Sequence, residues 1–300
     1  MSQCCLNLSK LPVCRMPVVV TGATGLLGRA VLACFKSANI DVIGLGFSRA
    51  EGEIRKLDLT DSEAVGAFLA ETAPECVVHC AAERRPDVIQ HGDATSLNVT
   101  ATETLAKLCA GADCRLVYVS TDYVFDGTEP PYAEDATSMH PLNKYGQSKL
   151  DGEKAVQKEC ENYAILRVPV LYGPVMTPSE SASLASFDAL VSQRACEIDN
   201  YNRRYPTHVA DVASVLLRLS QMTQVGVFHF SASEQLTKYD QTLLMARALN
   251  LSSDHIAPKN TQGAGASRPY DCRLINTRLA DLPAARKFGD LVGPLLQPFV

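Results

Sequence analysis

Short apolar runs alternate with helically spaced apolar residues through the first two thirds of the chain. The runs fall at 17–21, 42–45, 54–57, 76–80, 116–120 and 164–168 and are rich in Val, Ile and Leu. Continuous rather than alternating apolar runs of this length mark strands covered on both faces. Between them, apolar residues recur every three or four positions over 26–37, from about 61 to 72, and over 98–110 and 145–160. Asp61 is the expected N-cap of its helix. Strand followed by helix, repeated with short connections, predicts an α/β fold with a Rossmann-type, doubly wound parallel sheet.

Beyond about residue 170 the pattern loosens. Pro174, Pro178 and the serines of 179–186 interrupt it. A helix over 207–220, a strand over 227–231 and a helix from Thr237 follow, the last opening on a Thr237-x-x-Asp240 capping box. The Gly/Ala stretch 262–267 reads as a loop, and no internal repeat is visible. These changes predict a flexible tail (1–16), a nucleotide-binding domain (17–170) and a smaller C-terminal α/β lobe (171–300) interwoven with it.

Composition narrows the class. Of 300 residues 46% are hydrophobic, enough for a core that needs no staples, which excludes disordered, collagenous and disulfide-scaffold proteins. No window approaches the ~18 apolar residues of a membrane helix, so no membrane role is expected. A net charge of −5 with dispersed Lys and Arg argues against a nucleic-acid partner. The eleven cysteines are odd in number and include no C-x-x-C pair, so a metal site is not expected. Cys76 and Cys80 share a strand face as buried thiols, and Cys34, Cys109 and Cys160 are small core residues. Without a signal peptide, this usage points to a reducing compartment, cytoplasmic or nuclear. Cys4 and Cys5 belong to a frayed tail, with acylation the less favoured reading.

Thr21-Gly22-Ala23-Thr24-Gly25-Leu26-Leu27-Gly28 joins the first strand to the first helix. One glycine permits the tight turn, the second a close approach to a pyrophosphate, and the third close helix–strand packing. The helix N-terminus adds N–H groups and a partial positive charge. Thr21, Gly22, Thr24, Gly25, Leu26, Leu27 and Gly28 are therefore candidate cofactor-binding residues. Arg29 either reaches a phosphate or is an ordinary helix cation. About 20 residues on, where an acidic residue would hold the ribose of NAD, stand Phe47, Ser48 and Arg49. A hydroxyl and a guanidinium suit a 2′-phosphate, which favours NADP, unless Arg49 is plain loop charge. Asp58, followed by Leu59, is placed to accept from the adenine amine.

Tyr145-x-x-x-Lys149 sets a phenol and an ammonium one helical turn apart. A neighbouring cation should lower the phenol pKa from ~10 and let Tyr145 act as a general acid. Thr121, ending the fifth strand, would hydrogen-bond the same substrate oxygen.

Together these features resemble the extended short-chain dehydrogenase/reductase superfamily over nearly the whole chain. That resemblance implies a water-organising role for Asn98. It also implies cofactor contacts from Cys80, Ala81 and Ala82, and from Arg167 and Pro169 beside the nicotinamide, with Leu171-Tyr172-Gly173 near them. Residues 120–127 (Ser-Thr-Asp-Tyr-Val-Phe-Asp-Gly) and Arg268-Pro269 resemble dTDP-4-dehydrorhamnose reductases. Residues 79–88 (His-Cys-Ala-Ala-Glu-Arg-Arg-Pro-Asp-Val), 149–156, Arg204-Tyr205-Pro206-Thr207-His208-Val209 and Glu234-Gln235-x-Thr237-Lys238-Tyr239 resemble regulatory β subunits of methionine adenosyltransferase.

The resemblance implies a non-catalytic, NADP-binding regulator partnered with a methionine adenosyltransferase catalytic subunit. The intact Thr121, Tyr145 and Lys149 keep open an NADPH-dependent reductase of a sugar nucleotide, with Arg84, Arg85, Arg203, Arg204 and His208 on substrate phosphates. An NADP-sensing scaffold with other partners is the third reading. Relatives end in a basic, aromatic tail, whereas this chain ends Gln297-Pro298-Phe299-Val300 and has no Trp. Weaker partner binding, or binding through the folded domain alone, is the expectation that follows.

Overall fold

The computed structural model describes residues 16–91, 95–263 and 265–300. Apart from Met16, the expected tail, with Cys4, Cys5 and Cys14, lies outside them. Seven strands form one parallel sheet: β1 (Val18–Thr21), β2 (Val42–Gly46), β3 (Arg55–Lys56), β4 (Cys76–His79), β5 (Arg115–Thr121), β6 (Tyr163–Val168) and β10 (Gly226–His229). Their order is β10-β6-β5-β4-β1-β2-β3. The chain winds outwards from β1 to β3, then restarts at β4 on the other side of β1. A crevice therefore opens at the carboxyl ends of β1 and β4.

Alternation along β1 shows why the runs are wholly apolar. Val18 and Val20 point into one hydrophobic layer and Val19 into the opposite one, and all three are buried. Burying each such side chain contributes about 1.5–3 kcal/mol. The first layer is closed by α1 (Leu26–Ser37) and α7 (Val209–Gln221). The second is closed by α2 (Ser62–Thr72), α4 (Ala101–Gly111) and α5 (Lys144–Glu159). Asp61 caps α2, its side chain accepting from Ala64 N–H at 3.0 Å. Helix α3 (Pro86–His91) follows β4.

Several boundaries differ from the expected ones for local reasons. The third strand keeps only Arg55 and Lys56, because Ile54 turns inward to fill the space over Gly44 and Gly46. The helix expected from Asn98 begins as a π-helical turn, Ser96–Thr100, and becomes α-helical at Ala101. Thr207–His208 (β9) pairs with β7 (Leu171–Tyr172), and α7 starts at Val209, two residues later than expected, because His208 Nδ1 accepts from Ala210 N–H. Cys80 lies just past the end of β4 but continues the face of Cys76. The strand expected over 227–231 spans Gly226–His229.

Residues from β7 onwards make a further apolar cluster of Tyr172, Leu184, Phe187, Met245 and Phe288, with others. It packs α6 (Phe187–Ser192), α8 (Lys238–Leu249) and α9 (Phe288–Leu296) beside a two-stranded parallel ribbon of β8 (Cys196–Asp199) and β11 (Ile256–Lys259). Thr237 caps α8 through the full reciprocal box with Asp240. No helix among the described residues is long and apolar enough to cross a membrane.

Candidate functional site

A cavity of about 930 Å³ occupies the crevice and is walled by both halves of the chain. Its floor is the glycine-rich turn. Gly22 has φ +65°, a left-handed conformation, and a Cβ there would lie 2.8 Å from the Ala81 backbone. At Gly28 a Cβ would come within 2.2 Å of Gly22 O, so α1 can approach β1 only without a side chain at this point. The N-terminus of α1 opens into the cavity beside Thr24, Gly25, Leu26 and Leu27, a cradle with room for a pyrophosphate. Phe47, Ser48 and Arg49 line the same cavity, as do Asp58, Leu59, Cys80, Ala81, Ala82 and Pro169. One carboxylate oxygen of Asp58 is already taken by the N–H and hydroxyl of Thr60.

At the opposite end stand Thr121, Tyr145 and Lys149, all lining the cavity. Asn143 caps α5, accepting from Gly146 N–H at 2.9 Å, which presents Tyr145 towards Thr121. The phenol lines this end of the cavity beside Thr121. Its pKa is not lowered, as the spacing with Lys149 had suggested. Burial pushes it up, and the nearby Asp122 and Tyr123 add to this. Lys149 is itself 3% exposed, and its ammonium lies 4.0 Å from the centre of the Tyr118 ring. Burial brings Lys149 down to about 7, against the pull of Glu153 and Cys80. The cation is spent inside the protein instead of on the phenol.

Three expected site residues face elsewhere. Arg167 is buried in a bidentate ion pair with Glu153, at 2.9 and 2.6 Å, and the Ser120 hydroxyl donates to the same carboxylate. Its neighbour Val168 faces the cavity, and strand pleating sends Arg167 the other way. Thr21 Oγ1 bonds His79 Nδ1 at 2.7 Å and receives the Ala81 N–H, holding β1 to β4 from behind the cleft. His79, enclosed between Thr21 and Thr102, is held at about 3 by burial. The Asn98 carboxamide clasps both backbone groups of Glu83 (2.9 Å each) and donates to Ser148 Oγ.

Asn98 thus fixes the segment after β4, and that segment grips the C-terminal half at two points. Arg84 donates to the carbonyl of Glu180, while Asp87 accepts from Ala266 N–H and from Arg268 at 2.6 Å. Glu180 also takes a bidentate pair from Arg29, both bonds at 2.8 Å, and a 3.4 Å contact from Arg49. Arg29 is therefore occupied by Glu180, and Glu180 is held at about 2, chiefly by Arg29. Sequence spacing gave no sign of Glu180, 151 residues from its principal partner.

The far wall is polar. Asp122 is buried, and burial lifts its carboxyl to about 7 despite the opposing charge of Arg204. Arg204 donates to the carbonyls of Arg203 and Pro269 and stacks 5.5 Å from the Tyr123 ring centre. Arg204 Nη2, Asn202 Oδ1 and both amide atoms of Gln241 are buried without a hydrogen-bond partner among the described residues. Of the other residues considered for substrate phosphates, Arg85 pairs with Glu83, Arg203 lies over Tyr270, and His208 is taken up as a helix cap. No cluster of metal-ligating side chains occurs among the described residues, whose eight cysteines are all free thiols.

The strand order, the glycine cradle at the switch point and the Thr-Tyr-Lys end define a protein of the extended short-chain dehydrogenase/reductase type. The family model described as the RmlD substrate binding domain matches residues 16–288. The chain is 45% identical over 293 residues to the methionine adenosyltransferase 2 subunit beta of Xenopus laevis, covering 94% of this chain and 87% of that protein. It is 32% identical over 246 residues to the dTDP-4-keto-6-deoxy-D-glucose reductase of Streptomyces niveus, covering 80% and 81%. The same fold is found in the dTDP-4-dehydrorhamnose reductase of Bacillus anthracis, solved in complex with NADP, with TM-score 0.82 and 23% identity over 94% of this chain and 98% of that one. The chain belongs to the RmlD substrate binding domain family and, within it, to the methionine adenosyltransferase β-subunit family.

Proposed function

We propose that the chain is a non-catalytic, NADP-binding regulatory subunit that joins a methionine adenosyltransferase catalytic subunit in the cytoplasm and modulates S-adenosylmethionine synthesis. The observation that carries this is the 45% identity to a methionine adenosyltransferase 2 subunit beta over 94% of the chain, against 32% to a reductase. The cleft suits the cofactor, since side chains at Gly22 and Gly28 would fill the cradle or break it. Gly22, Thr24, Gly25, Leu26, Leu27 and Gly28 would hold the pyrophosphate. Ser48 and Arg49 would hold a 2′-phosphate. Asp58 and Leu59 would meet the adenine, Tyr145 and Lys149 a ribose, and Cys80, Ala81, Ala82 and Pro169 the nicotinamide side.

The reductase reading draws on Thr121 and Tyr145, which line the same end of the cavity. A bound NADPH would supply a hydride there. Thr121 and Tyr145 would hold the carbonyl oxygen, with the proton coming from the Tyr145 hydroxyl. A phenol pushed above its usual range is poorly matched to giving up that proton at neutral pH, which favours the regulator.

Two measurements decide between them. The purified chain mixed with a methionine adenosyltransferase catalytic subunit should give a stable complex with altered kinetics. With NADPH and dTDP-4-dehydro sugars it should show no loss of absorbance at 340 nm. Turnover that disappears in Tyr145→Phe, with no complex formed, would reverse the assignment.

A further inference from the structure

Glu180 comes from the segment after β7, far in sequence from the end of β2, yet it touches the residue there on which cofactor choice depends. Its side chain is 12% exposed and forms a bidentate pair with Arg29, which also donates to the Thr24 carbonyl in the glycine-rich turn. Met176 N–H donates to the same carboxylate at 3.0 Å, so its position is fixed by three N–H groups from two other places in the chain. The 3.4 Å contact then falls on Arg49, whose side chain is 57% exposed and lines the cavity.

An exposed arginine loses rotamer entropy when it is immobilised on a ligand. Contact with a fixed carboxylate removes part of that freedom beforehand. The carboxylate does not cancel the guanidinium's attraction for an anion. Arg29 and Glu180 already neutralise each other, so the cluster of two arginines and one glutamate keeps a net charge of +1 beside the cavity. Arg49 meets Glu180 through a single Nη1 contact, leaving its other N–H groups for a ligand. With its carboxyl at about 2, Glu180 stays ionised throughout the physiological range.

We infer that Glu180 is a positioning residue for the preference for NADP over NAD, acting through Arg49 on the 2′-phosphate. This rests on the dinucleotide reading of the cleft and deepens it. NAD carries a neutral 2′-hydroxyl in place of the 2′-phosphate and offers Arg49 no anion, so loosening Arg49 should penalise NADP far more than NAD. A purely structural role for Glu180 would weaken both together.

The test is calorimetric titration of the full chain with NADP⁺ and with NAD⁺. Wild type is expected to prefer NADP⁺. Glu180→Gln should lose about fivefold more affinity for NADP⁺ than for NAD⁺, and Glu180→Asp, which keeps the charge, should retain most of the preference. In an Arg49→Met background, Glu180→Gln should leave the ratio of the two affinities unchanged. Equal losses for both cofactors would overturn the inference, as would identical behaviour of Asp and Gln or a further fall of the ratio without Arg49. A wild type that binds neither dinucleotide, or prefers NAD⁺, would instead overturn the NADP reading itself and the inference with it.

Discussion

Replacing Glu153 by Gln removes the carboxylate that pairs with Arg167. Both side chains of the pair are 2% exposed. The remaining neighbours of the guanidinium are His229 Nε2 at 3.4 Å, the Met139 sulfur at 3.0 Å and the Phe125 ring at 5.2 Å, none of them anionic. A buried cation left in this way costs about 3–5 kcal/mol. For a chain of this size each kcal/mol lowers Tm by about 2 °C, so a fall of roughly 6–10 °C is expected. Removing both charges should be far milder. Glu153→Leu with Arg167→Met replaces the pair by apolar groups of similar bulk, and such exchanges are often neutral or stabilising. Equilibrium urea unfolding followed by far-ultraviolet circular dichroism measures both variants. A single variant within about 1 kcal/mol of wild type, or a double variant as unstable as the single, would refute the account of this pair as a desolvated charge couple.

Gly25→Val should abolish NADP binding with little change in Tm, because a Cβ there meets only Gly22 O, at 3.2 Å, while the side chain enters the cavity. Gly28→Ala, whose Cβ would meet backbone at 2.2 Å, should instead lower Tm by several degrees; calorimetric titration and a thermal scan distinguish the two. Lys149→Met should be more stable than wild type at pH 6. The folded-state pKa of about 7 lies below the ordinary value of 10.5, so between these limits only the unfolded chain holds the proton. Wild type therefore gains stability as pH rises from about 7 towards 10.5, and the gap should narrow over that window. A constant gap in urea midpoints from pH 6 to pH 10 would count against burial as the cause.

What sequence made legible was local. The glycine turn, the end of β2, the Asp61 and Thr237 caps and the Tyr145–Lys149 spacing each lie within a few residues, where spacing translates directly into geometry. Arg167 and Thr21 were misplaced because they sit in strands next to cavity-lining residues, and pleating turns adjacent side chains to opposite sides. For Tyr145 the spacing was right and the electrostatics were not. Only the folded environment reveals that Lys149 is desolvated and lies over Tyr118. Glu180, Asn202, Lys238, Gln241 and Arg268 belong to the same cavity and had no signal as a group. They are brought to it by the tertiary packing of the C-terminal half, and no local period encodes that.

Asp87 and Arg268 are 181 residues apart, and Arg29 and Glu180 are 151 apart, so the cavity exists only when nearly the whole chain is folded. A dinucleotide bound there recognises the native state and no fragment of it. At a hundredfold excess over its Kd such a ligand adds about 2.7 kcal/mol to global stability. Resistance of this chain to proteolysis would then track the cellular supply of the dinucleotide, making the amount of surviving protein a slow record of nicotinamide status.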